Sequence, residues 1–248
     1  ARGPPRRMHL GPVLASRDAQ AFAATSLVMV TTVESVKALT GLLDRKLTRK
    51  IMHLAAGPIF LCMWPLFSRD GKWWAAAVPL AMTLKFALTG IGLLNLNADV
   101  EAMSRSGQPD ELLRGPLIYG LVFSAATLLA FRRVVAAASL SALCAGDGMA
   151  DVVGRRFGRS AGRKLPWSPR KSWPGSLAFL VSAWAASMLF GALFYQWGWC
   201  SVSPRQMIAP LLLASLAGAA VESLPFTDVD NLLVPAAVGA VLVACKCC

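Results

Sequence analysis

Asp147 and Asp151 stand four residues apart in Gly146-Asp147-Gly148-Met149-Ala150-Asp151-Val152-Val153-Gly154-Arg155-Arg156-Phe157-Gly158, so on a helix both carboxylates project from one face. Paired carboxylates suit Mg²⁺, which takes oxygen ligands and keeps phosphates and waters in its shell. The competing reading is that both acids pair with Arg155 and Arg156 in the same helical register. Gly146, Gly148, Gly154 and Gly158 favour phosphate, because a backbone without side chains can approach an anion closely. A basic run follows at once: Arg155, Arg156, Arg159, Arg163, Lys164, Arg170 and Lys171, with no acid among them. Its end, Lys171-Ser172-Trp173-Pro174-Gly175-Ser176, sets a cation beside small hydroxyl residues and glycine, as a polyphosphate cradle would. A solvated basic loop is the alternative. No G-x-x-x-x-G-K-[ST] pattern occurs, which excludes an ordinary P-loop.

Two smaller clusters complete the set. Glu222-Ser223-Leu224-Pro225-Phe226-Thr227-Asp228-Val229-Asp230-Asn231 gathers three acids and an amide in a chain poor in acids. These acids could ligate a second metal or receive a hydroxyl proton, unless the cluster is only a hydrated helix end. Arg49 and His53 share a helix face at i, i+4, where His53 could contact phosphate or move a proton, or serve packing alone.

Elements able to position these groups are set by the apolar runs. Stretches near 19–43, 51–68, 73–96, 115–131, 134–153, 175–198, 207–224 and 231–245 approach the ~20 apolar residues that a membrane helix needs. The fold class expected is all-α, a polytopic transmembrane bundle of seven to nine spans with eight favoured. Alternating the spans sends 44–50, 97–114, 154–174 and 225–230 to one face, together with most of the loop Lys and Arg. The positive-inside rule makes that the cytosolic or stromal face. Every cluster described above falls there, as one shared site requires. Residues 1–18 read as a basic arm or transit-peptide remnant, and 19–248 as a single transmembrane domain.

Composition agrees and excludes other classes. Of 248 residues, 56% are hydrophobic and only 15% charged, too apolar for a water-soluble domain of this size and too apolar for a disordered chain. The net charge of +12 suits positive loops and anionic membrane lipids. Nucleic acid is not expected as a partner, since the basic residues punctuate apolar spans instead of forming a domain. Glu34, Lys37 and Lys85 sit within spans, where they pair, snorkel or line a transport path.

The ordered motifs Arg49-Lys50-x-x-His53-x-x-x-Gly57-Pro58, Glu111-Leu112-Leu113-Arg114-Gly115-Pro116-Leu117, Cys144-Ala145-Gly146-Asp147-Gly148-x-Ala150-Asp151-x-x-Gly154-Arg155-Arg156-Phe157-Gly158, Lys171-Ser172-Trp173-x-Gly175-Ser176 and Glu222-Ser223-Leu224-Pro225 resemble the polyprenol kinase family, in particular its plant phytol kinases. The resemblance runs over residues 49–235. It implies transfer of a phosphoryl group from a nucleoside triphosphate, commonly CTP with UTP or ATP as alternatives, to an isoprenoid alcohol. In plastids that alcohol would be phytol, and phytyl phosphate would feed tocopherol synthesis; farnesol or geranylgeraniol are the other alcohols implied. Ser168-Pro169-Arg170-Lys171-Ser172 is also similar to cytidylyltransferases, which keeps a CDP-lipid synthase as the nearest rival and a transporter as the non-enzyme reading. Pro174 stands where phytol kinases usually carry Ala. The site expected on these grounds has Asp147 and Asp151 on Mg²⁺ and Lys171, Arg155 and Arg156 on the phosphates. Ser172, Gly146, Gly148, Gly154, Gly158 and Gly175 line the nucleotide, Glu222 or Asp228 acts as base, and His53 and Arg49 support them.

Overall fold

A computed structural model describes residues 11–38, 45–104, 106–226 and 229–246. The apolar runs become helices because in lipid every backbone N–H and C=O must find its partner within the chain. The long helices are Gly11–Ala38 (α1), Arg45–Met63 (α2) and Lys72–Gly90 (α3), then, after the short Asn97–Met103 (α4), Gly115–Ala130 (α5). Val134–Ser141 (α6), a π turn at Ala142–Gly146 and Asp147–Phe157 (α7) form one continuous rod. A two-stranded antiparallel hairpin, Lys164–Leu165 (β1) with Ser168–Ser172 (β2), precedes Trp173–Gln196 (α8), Pro204–Glu222 (α9) and Asp230–Ala244 (α10).

Five segments are long and apolar enough to cross a membrane: Ser16–Ala38, Pro109–Ala130, Val134–Phe157, Trp173–Gln196 and Pro204–Glu222. Helices α2, α3 and α10 occupy the other three expected spans without meeting the same standard of length and apolarity. The hairpin is the one departure from an all-α chain among the described residues.

The α6–α7 rod is the centre of the bundle, and Val134, Ala136 to Leu140 and Ala142 to Cys144 are buried along it. Helix α8 presents Phe179, Ala183, Phe190 and Phe194 inward at helical spacing, while Leu177, Val181 and Leu189 face outward and are more than half exposed. Such an outward belt is costly in water and neutral in lipid. The bundle also reaches back past the boundary expected at residue 18. Asp18 is buried in α1 and accepts hydrogen bonds from the Ser68 backbone N–H at 2.6 Å and the Ser68 hydroxyl at 2.7 Å.

Pro174 is accommodated by its place. It lies in the first turn of α8, where a missing N–H removes no intrahelical bond, and the Ser172 hydroxyl just before it accepts from the Gly175 N–H at 3.3 Å.

Candidate active site

Asp147 enters the site from the rod immediately after the π turn, a local widening that shifts the phase of the residues following it. Facing it is the first half of α2. The Lys50 ammonium lies 2.7 Å from Asp147 Oδ2, and His53 Nε2 lies 3.3 Å from the same oxygen. Asp151, one turn further on, is 2.7 Å from Arg155 and 4.0 Å from Lys50. The pairing of Asp151 with Arg155 is therefore as the helical register allows, whereas Asp147 takes its cation from another helix.

The second wall comes from β2, α9 and α10. Lys171 is 2.5 Å from Glu222 Oε1 and 3.5 Å from Asp230 Oδ2. Burial opposes the charge on Lys171, but Glu222 and Asp230 outweigh it and hold the ammonium above the ordinary lysine value. Glu222 is 4% exposed and engaged by Lys171, so it is not a carboxylate left facing the site unpaired.

These walls enclose a polar cavity of about 590 Å³. Arg49, Lys50, Asp147, Asp151, Gly154 and Arg155 line one side of it, and Lys171, Ser172, Gly175, Glu222 and Asp230 another. The basic run contributes Arg159, Lys164 and Arg170, and the buried Ser176 hydroxyl, which lines the same space, has no hydrogen-bond partner among the described residues. The first-turn N–H groups of α8 and its positive dipole end therefore lie beside Lys171, an arrangement suited to an anion.

A second, apolar cavity of about 160 Å³ continues into the bundle between α1, α2, α3 and α5. Arg49, Lys50, Asp147 and Asp230 line both cavities, so the two meet at these four charged groups. His53 lies on the apolar side, its ring 4.2 Å from that of Tyr119, whose hydroxyl donates to the His53 carbonyl at 3.0 Å.

Several expected phosphate ligands are placed elsewhere. Gly146 and Gly148 lie inside an unbroken helical rod, where backbone N–H groups are already committed. A Cβ at Gly146 would come within 2.8 Å of the Phe179 ring, and one at Gly148 within 2.6 Å of Leu54. Their smallness serves helix packing. Gly158 is packed against Ser172, and exposed Arg156 lies over the Phe157 ring, 5.7 Å from its centroid; neither lines the polar cavity. Asp228 lies outside the described residues.

Sequence reasoning gave no individual role to Lys50, Tyr119, Ser176 and Asp230. A signal existed for three of them: Lys50 precedes His53 by three positions on one helix face, Ser176 closes the Lys171–Ser176 motif, and Asp230 belongs to the acidic cluster that follows Glu222. Tyr119 stands in no pattern of its own. Glu34, Lys37 and Lys85 form a clamp instead of a path: Lys37 is 2.8 Å from Glu34 and 2.6 Å from Asp99, and Lys85 is 2.7 Å from Asp99.

Compared with known proteins, the chain is 38% identical over 224 residues to a Triticum aestivum protein named "Probable phytol kinase, chloroplastic", covering 86% of this chain and 74% of that one. It is 37% identical over 201 residues to the Zea mays protein of the same name, covering 79% and 65%. It is 40% identical over 195 residues to "Farnesol kinase, chloroplastic" of Arabidopsis thaliana, covering 77% and 62%. The chain thus spans about two thirds of the length of these curated relatives. No family model and no solved structure matches it.

Proposed function

The chain belongs to the plant-type phytol kinase family, and from that membership and the paired cavities we propose that it moves the γ-phosphoryl group of a nucleoside triphosphate onto phytol or a related isoprenoid alcohol. The observation that carries this reading is the meeting of a cation-lined polar cavity with an apolar one at Asp147, Lys50 and Asp230. A triphosphate must come from water and an isoprenoid alcohol from the bilayer, and only at such a junction do their reacting ends share a space.

In this reading the alcohol oxygen bonds to the γ-phosphorus, the bond from that phosphorus to the β–γ bridging oxygen breaks, and a nucleoside diphosphate leaves. Phosphoryl transfer asks the protein mainly for positioning and charge neutralisation. Lys171, Arg155 and Arg170 hold the phosphates, with the N–H groups that open α8 beside them. The hydroxyl proton goes to Asp230, which lines both cavities; Glu222 keeps Lys171 in place and is not the base. His53 and Tyr119 orient Asp147 from the apolar side.

The donor set fits a hard divalent cation. Asp147 and Asp151 offer carboxylate oxygens to the polar cavity, the donor type that Mg²⁺ takes while phosphates and waters fill the rest of its shell. When bound, Mg²⁺ supplies charge neutralisation on the phosphates. CTP is the proposed donor. The proposed setting is a plastid membrane, with the polar cavity on the stromal face where the loop Lys and Arg gather.

The test is purified protein in lipid nanodiscs with Mg²⁺, phytol or farnesol, and γ-labelled CTP, UTP or ATP. Label on the alcohol, fastest from CTP, is the expected result. Pyrophosphate release with a cytidylylated lipid would make the chain a CDP-lipid synthase, and no label on any alcohol would remove the kinase reading. Asp230→Asn should lower kcat by about 10²–10³ with nucleotide KM kept, as loss of a general base does.

A further inference from the structure

We propose that the apolar cavity seats only the first isoprene unit of the alcohol, and that the rest of the chain leaves the bundle sideways between α1 and α3, so tail length is not read. The inference rests on the kinase reading above and concerns what that site selects.

Size is the first argument. An apolar cavity of about 150 Å³ accommodates benzene, about six carbons. The cavity here, about 160 Å³, has room for the carbinol and one isoprene unit. Its inner end is closed by Phe60, Val78 and Phe123, each at most 3% exposed, so the chain cannot run deeper. At the charged end Asp147 and Asp230 fix where the hydroxyl must lie.

The way out is the second argument. Helices α1 and α3 are tied together at both ends. At one end Phe22 and Trp74 meet edge to face at 6.0 Å. At the other, buried Asp99 on α4 joins Lys37 of α1 to Lys85 of α3. Between these ties the cavity is lined by Met29 and Val33 of α1 and Met82 of α3, with Met103 of α4 beside them. The three methionines are only partly buried, and thioether chains repack readily around a branched hydrocarbon. Leu27 and Val30 on α1, and Leu80 and Leu84 on α3, are exposed on the same stretches of helix, so a chain passing between the ties emerges onto a lipid-facing surface.

The experiment compares geraniol, farnesol and phytol, which share the allylic head and differ in tail, at equal mole fraction in nanodiscs. A pocket that read the tail would separate them by about tenfold or more, since even one methylene is worth about that in an apolar site. The expected result is kcat/KM values that agree to within a few fold. Ala56→Phe, which fills the cavity from α2, should depress transfer to all three alcohols by one common factor while leaving nucleotide affinity unchanged. That affinity also reports that the variant is folded. A steep fall or rise along the series, or an Ala56→Phe variant that still accepts geraniol but not phytol, would overturn the proposal. Wild-type protein that phosphorylates none of the three refutes the kinase reading itself, and is distinguished by that.

Discussion

Lys171 and Glu222 illustrate how a sequence motif can carry two duties. Glu222 is 4% exposed and Lys171 covers it from the cavity side, so removing Lys171 strands a carboxylate that water barely reaches. Lys171→Ala is expected to cost about 3–5 kcal/mol of stability, read from thermal unfolding in detergent, besides abolishing transfer. Adding Glu222→Gln should restore most of the stability and none of the activity. Recovery of activity in the double variant would show that Lys171 serves only to neutralise Glu222. Asp147→Asn should lose divalent-dependent transfer while still inserting in the membrane, because Asn retains the shape but not the charge that Lys50 and a cation require. Legibility in the sequence was uneven at this scale. Asp147, Asp151 and Lys171 announced themselves as charges beside glycine in an acid-poor chain. Asp230 was visible as an acid but not as the one that faces the cavity, since a run of acids at a helix end does not say which carboxylate turns inward.

At the scale of elements, the crossing of the rod with α8 decides what the glycines do. Gly146→Ala would drive a Cβ to within 2.8 Å of the fully buried Phe179 ring, and over-packing of this kind costs about 1–3 kcal/mol. The expected outcome is a lower unfolding temperature with nucleotide affinity unchanged in the folded protein; a phosphate role would reverse that pattern. The α4 clamp gives a pH prediction. Burial works against the Asp99 carboxylate, but Lys37 and Lys85 outweigh it and hold its pKa below the ordinary aspartate value. The clamp's contribution is therefore fully present above the unfolded value of about 3.9 and lost only as pH falls through the lower folded value. Amide exchange in 97–103, corrected for the intrinsic pH dependence, should be the same at pH 8 and pH 5. Asp99→Ala should raise it at both.

Taken whole, the molecule has two unlike ends. Trp167 and Trp173 are exposed beside the hairpin, and Trp73 and Trp74 at the start of α3, two sets of aromatic rings of the kind that settle at membrane interfaces. Helix α8 separates the hairpin from Ser201 by about 36 Å of rise, enough to cross a bilayer core. In a background whose native cysteines are replaced, single Ser160→Cys and Ser201→Cys variants should therefore react with an impermeant maleimide from opposite sides of sealed vesicles. Labelling of both from one side would refute the alternating topology. The amino-acid sequence by itself determined the membrane bundle, the approximate places of its helices and the common face of its charged clusters, because those follow from apolar run length and punctuation along the chain. Only the tertiary structure decided that Asp147 meets Lys50 and not Arg155, that Gly146 and Gly148 face side chains in place of phosphates, and that an apolar cavity opens onto the same four charged groups. Such pairings depend on which faces of helices far apart in the chain are pressed together, and helical periodicity specifies a face without naming its partner.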